Sequence, residues 1–162
     1  MTTRCIPFVE ADDVIATVAF KWLALKRGPV SVLSTDKDMA WLMAFGARIR
    51  DHFASEWRDE AWCFEKFHVP SSLVLDSLAL TGDKSDDVPG IDKVGPKTAG
   101  KWLMDFGCLE EVLANAHTLT GKVADNLKNN LDVPVLSRQL VTLKTDVPLN
   151  LTWKELRIAP RP

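Results

Sequence analysis

Residues 81–103 read TGDKSDDVPGIDKVGPKTAGKWL, and this stretch decides how the second half of the chain folds. Three aspartates stand close together in GDKSDD, and three lysines, Lys93, Lys97 and Lys101, follow them. Gly95 and Pro96 predict the first turn of a helix, where the missing N–H of proline does no harm. Lys97 and Lys101 are four residues apart and therefore share one face of that helix. The segment thus joins a group of acids, which repels phosphate, to a row of bases, which attracts it.

Two interpretations of this segment remain open from the residues alone. Glycines ahead of a helix let backbone N–H groups approach a phosphate at the positive helix end, which favours contact with a nucleic-acid backbone. The lysines are equally typical of an ordinary solvated helix face. A calcium loop of the EF-hand type is excluded, because Val88 and Val94 stand where that loop needs glycine and glutamate.

The pattern of the whole chain predicts two structural halves. A short strand at 5–9, a helix from Asp13, a strand at 29–34, a helix at 39–45 and a strand at 47–53 alternate as in a parallel α/β sheet. After about residue 56 the chain reads as successive helices with short breaks, and 151–156 as a short tail element. We therefore predict an α/β domain at 1–60 and an all-helical domain at 61–162.

Two further acidic clusters lie in the α/β half. Glu10, Asp12 and Asp13 stand at the start of the first helix, where acids complement the helix dipole and serve as caps. The same carboxylates are also ligands that Mg²⁺ prefers. Asp36 and Asp38 directly follow a strand, so they are either a turn with a helix cap or groups that point into the crevice at the strand ends. Two clusters at successive strand ends of one sheet favour a shared divalent-metal site.

Composition sets limits on function. The chain has 162 residues, a formal net charge of −2 and 46% hydrophobic residues, so any nucleic-acid contact must be a local basic patch. Three cysteines without metal or disulfide spacing predict a reducing, cytoplasmic location. No apolar run in the sequence reaches the length of a membrane span.

Together, EADD, TDKD after a strand and GDKSDDVPGIDKVGPKTA resemble the 5′→3′ exonuclease and flap endonuclease family, and IRDHF resembles its bacterial exonuclease IX branch. The resemblance covers about residues 7–156. It implies a PIN-like (resolvase-like) parallel sheet, incomplete at its N-terminus, followed by an all-helical helix–three-turn–helix DNA-binding region. It also implies hydrolysis of DNA phosphodiester bonds at 5′ ends or flap junctions with two Mg²⁺ or Mn²⁺ ions.

The resemblance assigns roles residue by residue. The implied catalytic acids are Asp12, Asp13, Asp36 and Asp38. The implied divalent-metal residues, acting directly or through water, are Glu10, Asp12, Asp13, Asp36, Asp38, Asp83 and Asp86. Main-chain carbonyls implied to hold a K⁺ ion belong to Leu80, Thr81, Pro89, Ile91 and Val94. The implied DNA-binding residues are Lys93, Val94, Gly95, Pro96, Lys97, Thr98 and Lys101.

The sequence departs from the family pattern at two places. The exonuclease IX branch lacks the acids of the third cluster, whereas Asp83 and Asp86 are present here. Family members also begin with a long segment that is absent before Met1. We therefore expect a fragment of a larger protein, a chain that needs a partner with the missing lobe, or a structure-selective DNA-binding module without turnover. Expected partners are DNA with a 5′ flap or free 5′ end and no membrane, and the chain is expected to be a monomer. A PIN-type ribonuclease is a weaker alternative.

Overall fold

The computed structural model describes Pro7, residues 9–150 and residues 152–156. Within these residues, three strands and seven α-helices are joined by 3₁₀ segments at Asp38–Phe45, Ser71–Leu73 and Ala116–Thr118. In chain order the elements are α1 (Ala11–Ala24), β1 (Val30–Leu33), β2 (Ala47–Asp51), β3 (Glu56–Arg58), α2 (Glu60–Phe67), α3 (Val74–Thr81), α4 (Pro96–Phe106), α5 (Leu109–Ala114), α6 (Lys122–Lys128) and α7 (Asp132–Val141).

The sheet has the order β1-β2-β3 and is mixed. β1 and β2 are parallel, as the alternation of strands and helices along the sequence predicts. In their register, Val32 is paired with Ile49. β3 pairs antiparallel with β2, so the prediction of a wholly parallel sheet is wrong at this strand. The physical reason is the length of the connection, because a turn of four residues allows only an antiparallel return.

The sequence pattern predicts helices at 59–69, 71–82, 96–107, 109–116, 122–131 and 134–146, and α2 to α7 lie close to these positions. The segment before residue 46 forms a 3₁₀ helix rather than an α-helix, and the last predicted helix ends at Val141. The predicted strand at 5–9 lies largely outside the described residues. The predicted tail element is a turn at residues 153–156.

Two apolar clusters hold the chain together. The first joins α1 to the sheet through residues such as Ala16, Val32 and Ile49. The second, larger cluster fills the helical half around Leu75, Leu80 and Leu103. Trp41 and Met43 of the 3₁₀ segment pack against both clusters, so this segment connects the two halves. The division at residue 60 stays a prediction.

A buried carboxylate fixes the helices that support the loop between α3 and α4. Asp76 is 6% exposed. Its Oδ2 accepts from the backbone N–H of Leu109 at 3.1 Å, and its Oδ1 accepts from Nε of Arg138 at 2.6 Å. One side chain of α3 therefore ties the start of α5 to α7.

None of the helices in the described ranges is long and apolar enough to cross a membrane.

Candidate active site

Three acidic segments that are distant in the sequence line one open cleft of about 730 Å³. They are the start of α1, the turn after β1 and the loop after α3, and residues 139–144 form a further part of the wall. The carboxylates that line the cleft are Glu10, Asp12, Asp13, Asp36, Asp38 and Asp86. Asp83 is not in the lining but is buried close enough to Asp38 to raise the pKa of that side chain. The structure therefore brings together all three clusters that the sequence singled out.

The acids of the first cluster, Glu10, Asp12 and Asp13, have different roles. Glu10 is the N-cap of α1, but its side chain makes no capping hydrogen bond. Burial, the nearby charge of Asp36 and a hydrogen bond with Asp36 raise the pKa of Asp12 to about 6. Asp13 is used differently, since its Oδ1 accepts from the backbone N–H of Lys144 at 2.8 Å and its Oδ2 lies 3.2 Å from Lys144 Nζ. Asp12 thus faces Asp36, while Asp13 fastens α1 to the segment after α7.

The second cluster, Asp36 and Asp38, both stabilises the turn after β1 and lines the cleft. Asp36 Oδ1 accepts from the backbone N–H of Asp38 at 2.9 Å, at the start of the 3₁₀ segment. Burial and then the charges of Asp36 and Asp83 raise the pKa of Asp38 to about 7. Asp38 Oδ1 is buried and has no hydrogen-bond partner within the described chain. A buried acceptor of this kind is costly unless a proton or a cation satisfies it.

The third cluster sits in a tight loop that Asp83 and Val88 close by two backbone hydrogen bonds of 2.9 and 2.8 Å. Lys37 forms an ion pair with Asp83 Oδ2, and Ser85 Oγ donates to Asp83 Oδ1 at 2.6 Å. Burial alone would raise the pKa of Asp83, but the hydrogen bonds from Lys37 and Ser85 outweigh it and lower that pKa to about 2. A hydrogen bond with Asp83, together with burial, raises the pKa of Asp86. Asp83 is therefore neutralised by a lysine, and Asp86 faces the cleft.

The arrangement fits divalent cations that bind partly through water. Asp12 and Asp38, whose pKa values are raised, and the buried oxygen of Asp38 form an acidic part of the cleft that Lys37 and Lys144 do not neutralise, since these lysines pair with Asp83 and Asp13. Within the described residues, no three His, Cys, Asp or Glu side chains are placed to hold one ion directly. Direct coordination by Asp83 would require this side chain to release Lys37.

Arg58, which positions the turn after β1, is a site residue that no sequence pattern indicated. Its guanidinium donates to the carbonyl oxygens of Asp36 and Thr35 at 2.5 and 2.7 Å and to Asp51 Oδ2 at 2.9 Å. Arg58 is 7% exposed and lies over the ring of Trp62 at 4.6 Å. Because its partners are mostly backbone carbonyls more than 20 residues earlier, no motif marks it. Lys37 and Lys144, which neutralise two of the acids, were also missed.

The predicted DNA-binding segment lies at the start of α4. Gly95 is the N-cap and Pro96 the first residue of the helix, as predicted. Lys93, Lys97 and Lys101 are all exposed, and Val94 is buried at 5% exposure. Of the carbonyls predicted for K⁺, Leu80 O accepts from Ile91 N, Ile91 O from Val94 N and Pro89 O from Ser137 Oγ. Each carbonyl oxygen keeps a second lone pair.

Comparison with known proteins identifies the family. The family model described as 5′-3′ exonuclease, C-terminal SAM fold, matches residues 69–161, which is more than half of the chain. The chain belongs to this 5′-3′ exonuclease family. The resemblance inferred from the three motifs is thereby confirmed.

Relatives and solved structures of this family extend the match beyond the helical half. The flap endonuclease Xni of Colwellia psychrerythraea is 38% identical over 149 residues, which are 92% of this chain and 51% of the relative. That of Shewanella amazonensis is 37% identical over 151 residues, 93% of this chain and 59% of the relative. A mutant T5 5′-exonuclease superposes with a TM-score of 0.76 at 24% identity over 86% of this chain and 58% of that chain, which shows a shared fold. The chain thus spans between about half and three fifths of the length of the Xni relatives.

The pKa of Asp38 predicts how the metal-free protein responds to pH. A carboxyl group whose pKa is higher in the folded state than unfolded stabilises the fold at low pH, and this is lost as pH rises from about 4 through about 7. We expect Asp38→Asn to raise the melting temperature by about 5 °C at pH 8 in EDTA, and to change it little near pH 4.

Thermal unfolding followed by circular dichroism tests this expectation. Asp105→Asn is the control, because Asp105 is exposed on α4, outside the residues that line the cleft. Its melting temperature should stay within about 1 °C of the unchanged protein at both pH values. An Asp38→Asn protein that melts no higher than the unchanged protein at pH 8 would contradict the electrostatic account of the cleft.

Proposed function

We propose that this chain carries the acid cleft and the DNA grip of a flap endonuclease or 5′→3′ exonuclease that hydrolyses DNA phosphodiester bonds at 5′ ends or flap junctions. The observation that carries the proposal is the convergence of three separate acidic segments on one cleft, with a buried unsatisfied oxygen at Asp38. Relatives named flap endonuclease Xni support the same reaction. The chain spans between about half and three fifths of the length of these relatives, so their activity comes to this chain as a proposal.

Divalent cations, Mg²⁺ or Mn²⁺ and two in number, would be held by the seven acids of the three clusters. Bound there, they would supply an activated water and neutralise charge on the scissile phosphate. Asp36 lies close enough to Asp12 to raise its pKa, accepts from the backbone N–H of Asp38, and would help to hold the first ion. Arg58 holds the backbone of Asp36 in place from behind. T5 relatives have been solved with zinc ions and, in another case, as a flap endonuclease complex with DNA and metal ions, which supports this assignment.

The start of α4 would bind the DNA backbone at some distance from the scissile bond. Lys93, Lys97 and Lys101 are exposed there, and the N–H groups of Lys97 and Thr98 lie at the positive end of the helix. A K⁺ ion on the carbonyls of Leu80, Thr81, Pro89, Ile91 and Val94 would join this loop to a phosphate. The finer fold assignment, a PIN-like sheet with a helix–three-turn–helix region, and a monomeric state belong to the same proposal.

One observation favours the second candidate, a DNA-binding module without turnover. Two of the seven acids are already neutralised by lysines of the same chain, Asp13 by Lys144 and Asp83 by Lys37. A chain that keeps these ion pairs has fewer carboxylates for a second ion and retains the grip at α4.

Incubation of the purified chain with a labelled 5′-flap DNA distinguishes the two candidates. Under the nuclease proposal, cutting near the flap junction is expected in Mg²⁺ or Mn²⁺ and is lost in EDTA, and an RNA of the same shape is cut poorly. An intact flap across a wide range of protein concentrations, with salt-sensitive binding that persists in EDTA, would overturn the nuclease proposal for this chain and favour the binding module.

A further inference from the structure

The β2–β3 hairpin presents an exposed face that the acid cleft and the helical grip do not use. Arg50 is directly opposite Trp57 in the antiparallel register, and Arg48 lies two residues before Arg50 on the same side of β2. The other side of the hairpin is covered, since Ile49 is 0% and Arg58 is 7% exposed. We call Arg48, Arg50, Trp57 and the tip residue Phe53 the hairpin face.

The arginines of the hairpin face carry positive charge that no carboxylate of the described chain balances. Arg48 Cζ lies 4.1 Å and Arg50 Cζ 5.6 Å from the centre of the Trp57 ring. Neither arginine forms an ion pair among the described residues, and Arg50 Nε is buried without a hydrogen-bond partner there. A guanidinium stacked on an indole keeps its N–H groups at its edge, free to bind a planar or tetrahedral anion. Phosphate is the anion that this geometry suits best.

The hairpin tip adds an exposed aromatic ring on a turn whose backbone is held by hydrogen bonds. Phe53 is 87% exposed, the largest exposed fraction among the big apolar side chains of the described residues. Asp51 Oδ1 accepts from the backbone N–H groups of Phe53 and Ala54, both at 3.0 Å, so the turn is held in shape. His52 contacts the ring edge-on at a centroid distance of 5.8 Å. An exposed ring on a held turn is a platform on which a base can stack.

The hairpin face adjoins the acid cleft. β1 and β2 are parallel, so the tip after β2 and the turn with Asp36 after β1 lie at the same edge of the sheet. Ser34 N donates to Arg50 O at 3.0 Å, and Arg58 joins Asp51 of the hairpin to the carbonyl of Asp36. A strand that leaves the cleft in this direction would therefore meet Phe53 and then the two arginines.

We propose that the hairpin face binds an unpaired stretch of DNA, with a base stacked on Phe53 and backbone phosphates on Arg48 and Arg50. The proposal rests on the proposed function for its choice of DNA, and it names the single-stranded part of that substrate. Charge and aromatic content together favour this occupant over an acidic peptide, because arginines stacked on a ring beside an exposed aromatic side chain match phosphate and base at once. The face and the helix α4 would then hold different parts of one substrate, the unpaired strand and the duplex.

Fluorescence anisotropy in EDTA tests the proposal without turnover. Labelled single-stranded oligothymidine and a blunt duplex are titrated with the unchanged chain, with Arg48→Ala/Phe53→Ala and with the control Lys97→Ala. We expect the double variant to lose about tenfold or more in affinity for the single strand and to keep its affinity for the duplex within about twofold. Lys97→Ala should weaken the duplex and spare the single strand.

Two outcomes would overturn the proposal. The first is single-strand affinity that stays within about twofold in the double variant, as expected if the face instead docks a protein. The second is an equal loss of both affinities, which would mean that only net charge matters. Phe53→Ser alone, at a side chain that is almost fully exposed, repeats the test without risk to folding. Binding is measured without metal, so a chain that fails to cut flap DNA can still support the proposal for the hairpin face. Conversely, a hairpin face that binds no single strand would not contradict flap cutting by the chain.

Discussion

Under the proposed nuclease function, replacing Asp36 with asparagine is expected to lower metal-dependent cutting of a 5′-flap DNA by at least about 100-fold, because a carboxylate that would hold a catalytic ion would contribute several kcal/mol to the transition state. The charge of Asp36 raises the pKa values of three other acids, Asp12, Asp38 and Asp86. Its Oδ1 accepts from the backbone N–H of Asp38. Asparagine can keep this hydrogen bond through its amide oxygen, so the turn should survive while the charge is lost.

Single-turnover rates with saturating Mg²⁺, beside DNA affinity in EDTA, measure this prediction. Affinity should be unchanged or slightly higher in the variant, since an acid that repels phosphate has been removed. Asp105→Asn is again the matched control and should cut at the rate of the unchanged chain. A variant that retains more than about a tenth of the original rate would show that Asp36 holds no catalytic ion, whatever its place in the cleft.

The order of helices and strands followed from local patterns that the sequence displays. Gly95 and Pro96 start α4 as predicted, because the first turn of a helix suits both residues. The strands at 30–33 and 47–51 were predicted at 29–34 and 47–53, the first because its short apolar run is typical of a strand. β3 was missed since three residues, Glu56–Arg58, show no alternation that could be recognised.

The grouping of the acids was predictable, but their present partners were not. Strand ends of one sheet meet at one edge, which places Asp36 near the start of α1. The ion pairs of Asp13 with Lys144 and of Asp83 with Lys37 depend on tertiary packing, since the first two residues are 131 positions apart in the sequence. No local rule relates such positions, and lysines between acids, such as Lys37, are usually solvated. The contacts of Arg58 with backbone carbonyls are equally invisible in a sequence.

Replacing Gly90 with alanine is expected to lower the free energy of unfolding by at least about 3 kcal/mol, because the new methyl group has no room. A Cβ at this position would lie 2.3 Å from the carbonyl carbon and oxygen of Thr81 and 2.4 Å from the nitrogen of Gly82. These are backbone atoms at the end of α3, so no side chain can turn aside. Relief requires the loop to move off α3, which would break the 2.9 Å hydrogen bond from Ile91 N to Leu80 O.

Gly95→Ala is the matched control, five residues further along the same loop. A Cβ there meets nothing within 4 Å, and the backbone of Gly95 has a φ of −103°, which alanine adopts without strain. The loss at this N-cap should stay below about 1 kcal/mol in urea unfolding. The comparison also tests the candidate site. The backbones of Gly90 and Gly82 are in close contact at the point where the loop with Asp83 and Asp86 closes. An equal unfolding midpoint for Gly90→Ala and Gly95→Ala would contradict this prediction and would mean that the loop can shift. In that case, the packing of Gly90 on α3 would not be what holds the third acidic cluster at the cleft.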